Sequence, residues 1–365
     1  MSLQNEINSA RTEIVTDGYD MSIGEVINLY RDNELTIAPE FQRLFRWDIS
    51  RKTRFIESIL LGIPIPPIFV FQRDDGVWEL IDGLQRLSTI YEFVGILKDN
   101  DNTVLEKSVM EGTRFLPSLT GVKWEKDGET DTSLSQAQRI EFKRARIRIE
   151  ILKKESDQIA KYELFQRLNT GGAGLSEQEV RNCVAVMINP KFYRWTVEQA
   201  ENLDFLHTIN QTESALVKQM AVELVLRFLA FRNVHYKNGL DVHEYLDDAL
   251  ISLANNGELD LDAEKDVFDK TFKLLRNALG DVAFKRWNGE EFKGKFLMSV
   301  FEVVGKGVSM NVDAISSLSD PVGHINQLCQ DLWSNETFIR NSGAGVRGTT
   351  RLANLLPMAN DYFKP

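Results

Sequence analysis

Strand signals in this chain of 365 residues stop near residue 155, and that asymmetry limits the fold more than any single motif does. Upstream, short apolar runs alternate with short helical patterns. Ile68-Phe69-Val70-Phe71 reads as a strand, Asp74-Asp75-Gly76 as a turn and Val77-Trp78-Glu79-Leu80-Ile81 as the strand that completes a hairpin. Arg146-Ile147-Arg148-Ile149-Glu150-Ile151 alternates with period two, which predicts a half-buried strand with a basic outer face. Residues 20–35 predict a short helix with Ile23, Val26, Ile27 and Tyr30 on one side, then Leu35-Thr36-Ile37 a brief strand halted by Pro39. Asp48 or Ser50 can cap a helix whose stripe is Phe55, Ile56, Ile59 and Leu60, stopped by Gly62 and Pro64. Residues 98–135 are polar and irregular. Downstream the patterns are helical: 156–168, 176–188, 190–200, 213–232, 241–254, 262–278, 290–304 and 321–338. The expected fold class is α+β, with a small α/β domain over residues 1–154 and an all-α helical domain over 155–365.

Composition narrows the class. Two cysteines, Cys183 and Cys329, with no CxxC, indicate neither a disulfide framework nor a cysteine zinc site. The polar stretch 1–11 has no apolar run of the secretory kind. The most apolar helix, Ala215 to Phe231, is interrupted by Lys218, Glu223 and Arg227, so a core helix is expected rather than a membrane span, and a cytoplasmic location with it. A net charge of −11 speaks against nonspecific coating of nucleic acid, but it leaves room for local basic surfaces. One runs through Arg43, Arg46, Arg51, Lys52 and Arg54, the other from Arg139 to Lys154 with Lys143, Arg144, Arg146 and Arg148. Taken alone, each run reads more readily as a solvated face than as a binding surface.

The chemistry concentrates in Ile81-Asp82-Gly83-Leu84-Gln85-Arg86-Leu87-Ser88-Thr89-Ile90, a strand-to-helix junction. Asp82 and Gly83 form its turn, and Gln85 and Arg86 fall in the first helical turn. Unpaired backbone N–H groups and the positive end of the helix dipole suit that place to a phosphate. Arg86 is unfavourable there unless an anion or Asp82 compensates it. A turn, a cap and a structural ion pair would use the same residues. A second constellation, Phe165-Gln166-Arg167-Leu168-Asn169-Thr170-Gly171-Gly172-Ala173-Gly174, closes one helix with a Gly-rich loop. Ser176 with Glu179 then forms a capping box for the next helix. The loop is either a flexible connection or backbone able to approach a ligand closely.

In this order, Phe41-Gln42-Arg43 with Trp47, then Ile56-Glu57-Ser58-Ile59-Leu60 with Gly62-Ile63-Pro64-Ile65-Pro66, then residues 81–87, then residues 165–181, the chain resembles domain-of-unknown-function family 262. That family includes the N-terminal part of the GmrSD modification-dependent restriction enzymes and the phosphorothioate-sensing defence protein SspE. The motifs span roughly residues 20–185, and the C-terminal half matches only in being helical. The resemblance implies a ParB/sulfiredoxin-like N-terminal domain that binds, and often hydrolyses, a nucleoside triphosphate with Mg²⁺. The family's Asp-Gly-Gln-Gln-Arg motif carries over to Asp82, Gly83, Gln85 and Arg86, with Leu84 in its third position. Leucine cannot hydrogen-bond a phosphate or a water, which weakens the case for hydrolysis more than for binding.

On this resemblance Asp82, Gln85 and Arg86 are the catalytic candidates, and Asp82 is the Mg²⁺ ligand. Gln42, Arg43, Gly83, Arg86, Arg167, Asn169, Gly171 and Gly172 are the nucleotide-binding candidates. DNA would meet Arg46, Arg51, Lys52, Arg146 and Arg148. Larger relatives carry a C-terminal His-Asn-His nuclease. The four histidines here, His207, His235, His243 and His324, form no such cluster, so nuclease activity is not expected of this C-terminal half. No Walker A sequence occurs, so a nucleotide site would not be a P-loop. The leading expectation is a ParB-like nucleotide-binding protein, a nucleoside triphosphatase, serving as the DNA-sensing or regulatory part of a phage-defence or restriction system. DNA and a separately encoded effector nuclease would be its partners, with no membrane involved and the oligomeric state open, a dimer included. A DNA-binding module without turnover and a protein-interaction or antitoxin-like scaffold are the alternatives.

Overall fold

A computed structural model describes residues 16–37, 47–99, 102–126, 128, 132–153, 176–212, 215 and 219–365. Gln42, Arg43, Arg46, the expected helix 156–168, Arg167, Asn169, Gly171 and Gly172 lie outside the described residues. The chain divides into two compact units, Met1–Ala173 and Gly174–Pro365.

The N-terminal unit is built on a five-stranded sheet of order β1-β5-β3-β4-β2, comprising β1 (Thr16–Ser22), β2 (Leu35–Thr36), β3 (Ile68–Gln72), β4 (Trp78–Asp82) and β5 (Arg146–Leu152). The expected hairpin is β3–β4, antiparallel with a register shift between Phe69 and Val70. β5 runs parallel to β3 and antiparallel to β1. The rings of Tyr19 on β1 and Trp78 on β4 meet at 6.2 Å although two strands separate them, so the sheet curls. Four helices join it: α1 (Ile23–Arg31), α2 (Ile49–Leu60), α3 (Leu84–Val94) and α4 (Gln136–Arg144).

Each helix follows from a local pattern. α1 buries Ile23, Val26, Ile27 and Tyr30, the stripe read from the sequence, and Ser22 caps it by accepting from the Glu25 N–H. Asp48, not Ser50, caps α2. α3 ends at Gly95, whose φ of 81° is the left-handed conformation a glycine C-cap adopts. Tyr30 stacks on Tyr91 with centroids 4.1 Å apart, and Phe93, Trp124 and Phe142 pack edge to face beside them. Ile68, Val70, Leu87, Ile90 and Ile149 are fully withdrawn from water, each such side chain contributing about 1.5–3 kcal/mol relative to exposure.

The C-terminal unit is helical: α5 (Glu177–Ile188), α6 (Pro190–Ala200), α7 (Leu203–Ile209), α8 (Met220–Asn233), α9 (Val242–Asn255), α10 (Leu261–Leu279), α11 (Met298–Ser316), α12 (Pro321–Asp331), α13 (Glu336–Ser342) and α14 (Gly348–Tyr362). α8 is the buried apolar helix expected from its composition, and its Arg227 ion-pairs with Glu223 at 2.7 Å. Glu302 of α11 is wholly buried. Arg351 of α14 holds it at 2.6 Å, with Arg227 at 3.5 Å, so three helices share one charged junction.

The structure corrects three readings here. Residues 286–293 form a small hairpin, β6 (Arg286–Trp287) with β7 (Phe292–Lys293), and the helix expected over 290–304 runs over α11 instead. The helix expected over 321–338 breaks at a 3-10 turn, Leu332–Ser334, after which Asn335 caps α13. α7 and α14 lie where the sequence patterns predict no element.

Candidate functional site

β4 ends at Asp82, Gly83 turns the chain with φ 110°, and α3 starts at Leu84. Glycine is needed twice at this turn: for the left-handed backbone, and because a Cβ there would collide with the Ile68 side chain. No side chain caps α3. Its first turn therefore keeps the positive dipole end of the helix, which suits a phosphate.

The side chains around the turn are tightly engaged. Arg86 Nη2 donates to Asp82 Oδ2 at 2.5 Å, and Arg86 Nη1 donates to the Pro66 and Pro67 carbonyls, both at 2.9 Å. Asp82 thus supplies the compensation that an arginine in a first helical turn requires. The guanidinium also ties the segment entering β3 to the start of α3, with its side chain only 14% exposed. Gln85 accepts a hydrogen bond from the Trp47 N–H at 3.1 Å through Oε1. Among the described residues Asp82 Oδ1 has no partner, which leaves one carboxylate oxygen for a cation.

The DNA candidates are placed differently from one another. Lys52 of α2 pairs with Glu92 of α3 at 2.7 Å, both side chains 15% exposed, so it braces two helices. Arg51 is exposed and lies 3.9 Å from Asp48. β5 presents Arg146 and Arg148 outward and buries Ile147, Ile149 and Ile151, as period two demands. Yet its outer face is nearly charge-balanced. Arg148 donates to Glu150 at 2.8 Å and stands opposite Asp20. The Glu150 hydrogen bond is the main reason its pKa is raised. Lys153 pairs with Asp17 at 3.2 Å and holds that carboxyl below its usual range.

Two open clefts of the N-terminal unit lie away from the junction. One, of about 370 Å³, is lined by α1 and α4 and includes Arg31, Lys143 and Arg144. The other, of about 360 Å³, lies between α2 and residues 111–115, where Thr113 donates to the buried Glu57. Sequence patterns single out neither the Pro66 and Pro67 carbonyls nor Arg31. The prolines are visible as part of a motif, but which carbonyls an arginine reaches 20 residues later leaves no local signal.

In the C-terminal unit the capping box of α5 is present, Ser176 and Glu179 each bonding the other's backbone N–H. His243 contacts Glu177, and Arg181, nearly buried, donates to Asp247 at 2.7 Å. Among the described residues no group of three or more histidines, cysteines or carboxylates could hold a metal ion.

A small mixed sheet, a glycine-turned strand-to-helix junction bearing Asp82, Gln85 and Arg86, and a helical continuation define an α+β protein. Residues 23–186 match the family described as GmrSD restriction endonuclease, N-terminal domain, and this match supports the resemblance carried by the sequence motifs. The match runs from the start of α1 into α5 and suggests a role in a restriction or defence-type system. No curated protein matches the chain. Among the described residues no helix is long and apolar enough to cross a membrane.

Proposed function

We propose that this chain is the nucleotide-binding, DNA-sensing component of a restriction or defence-type system, acting through an effector encoded separately. One observation supports the reading above others. The family segment places an uncapped helix N-terminus directly after Asp82, at a turn that only glycine can make. The residues fit a nucleoside triphosphate with Mg²⁺: the positive end of α3 would favour a phosphate, and Asp82 Oδ1, without a partner among the described residues, would accept a divalent cation. The cation would supply charge neutralisation on the phosphates. Gln85 would sit at the same rim, while Arg86 acts first as the brace that fixes Asp82 and the Pro66-Pro67 segment.

Turnover is the weaker half of the reading, because Leu84 cannot orient a water. A ligand bound only to the folded state stabilises it by about 2.7 kcal/mol at a hundredfold excess over Kd. Melting curves with each of the four common triphosphates and Mg²⁺ should therefore show a shift for at least one of them. Asp82→Asn should reduce that shift where Mg²⁺ is present. No shift with any triphosphate at millimolar concentration overturns nucleotide binding. A shift without phosphate release, with or without DNA, assigns the chain to binding without turnover.

A further inference from the structure

We infer that the cleft between α1 and α4 is the surface on which this chain meets the phosphate backbone of duplex DNA; the inference rests on the DNA-sensing half of the function proposed above. The last turn of α4 is fixed against the first turn of α1. The Ile23 N–H donates to the Ala145 carbonyl at 2.8 Å, and a Cβ at Gly24 would stand 3.3 Å from the Lys143 carbonyl oxygen. Ser22, the cap of α1, lies opposite Arg146 in the β1–β5 register. Lys143, Arg144 and Arg146 therefore gather at one end of α1, and Arg31 sits in the last turn at its other end. All four are exposed. The nine residues of α1 span about 13 Å at 1.5 Å per residue.

The charge state of this surface differs from that of its neighbours. Arg139 pairs with Glu125, Arg148 with Glu150 and Lys153 with Asp17. Among the described residues Arg31, Arg144 and Arg146 have no ion-pair partner, and Lys143 lies 5.8 Å over the Trp124 ring. Glu25 is the one carboxylate among the residues lining the cleft, against Arg31, Lys143 and Arg144. In a chain of net charge −11, such a concentration of cations with no ion-pair partner among the described residues is a local reversal of sign. Cations spread over about 13 Å suit a row of phosphates, spaced about 3.4 Å along the axis on each strand, better than one small anion. Exposed arginines also give up little hydration to reach them, and each phosphate neutralised releases condensed counterions.

The full chain, titrated against a short labelled duplex between about 50 and 200 mM salt, tests this surface. Arg31→Gln with Arg144→Gln should weaken binding to every duplex and lower the slope of log K against log salt by about two units, with an unchanged melting temperature. Arg340→Gln, an exposed cation of α13, should change neither. Duplex binding with an unaltered slope in the double variant refutes this surface while leaving the function intact. No duplex binding at low salt refutes both. Displacement of DNA by tripolyphosphate at matched ionic strength, beyond the effect of salt, also overturns the inference, because it marks a site for a small anion.

Discussion

Replacing Arg86 with alanine separates bracing from ligand binding. The guanidinium bonds two backbone carbonyls at 2.9 Å and the Asp82 carboxylate at 2.5 Å, and its side chain is 14% exposed. Hydrogen bonds to charged groups contribute about 1.5–3 kcal/mol each, and a buried acceptor left unpaired costs about 1–3 kcal/mol. Three such contacts do not add fully. Pro66 is exposed and the Asp82 side chain is 25% exposed, so water recovers part of what is lost. The expected cost is about 3 kcal/mol, close to the value of one or two bonds. At about 1.4 kcal/mol per factor of ten, amide protection at the start of α3 and in β3 should fall about a hundredfold. Arg86→Lys keeps the charge but cannot fork to a carboxylate and two carbonyls, so it should cost about half as much. Hydrogen exchange read by mass spectrometry measures both. If Arg86→Ala leaves protection within about threefold of the parent yet abolishes a triphosphate-induced melting shift, the arginine is a ligand group and the bracing argument fails.

Gly83→Ala should destabilise the N-terminal unit by about 2 kcal/mol or more, since left-handed backbone strain adds to overpacking against Ile68, and a near-neutral urea midpoint would contradict the turn geometry. Arg351→Ala should cost the C-terminal unit about 2–4 kcal/mol because Glu302 is wholly buried and would keep only Arg227; Glu302→Gln in the same background should recover part of that loss in thermal melts. Burial pushes the Cys329 thiol up to about 12 from 9.0. Above about pH 9 the unfolded chain then loses this proton while the native one keeps it, so stability falls as pH rises towards 12. Half-buried Lys306, lowered by desolvation, works in the opposite direction, so the informative comparison is parent against Cys329→Ala, whose alkaline decline should be shallower. Identical alkaline limbs would exclude Cys329 as a source of the decline.

Periodicity and end signals make much of this protein legible in its residues alone. The stripe of α1, the alternation of β5, the β3–β4 hairpin and the Ser176–Glu179 capping box depend only on residues within a turn or two of one another, so the sequence carries them openly. The junction at Asp82-Gly83 belongs with them, because strand residues, a glycine and a helical stripe adjoin there. β1 escapes such a reading because Asp17, Gly18 and Asp20 break any apolar alternation. Its strand character comes from pairing with β5, more than a hundred residues away. The β6–β7 hairpin carries a local signal, Asn288-Gly289, but a helical count of apolar residues over 290–304 competes with it and points the wrong way.

What the tertiary structure alone decided is which charges are already committed. Residue type marks Arg86, Lys52 and Arg148 as ligand candidates. Folding brings each within hydrogen-bonding distance of an internal partner, and it leaves Arg31, Arg144 and Arg146 without one among the described residues. Residue order sets the sign of a charge and its place on a helix or strand. Whether that charge is neutralised inside the molecule depends on groups that only the packed chain brings near it.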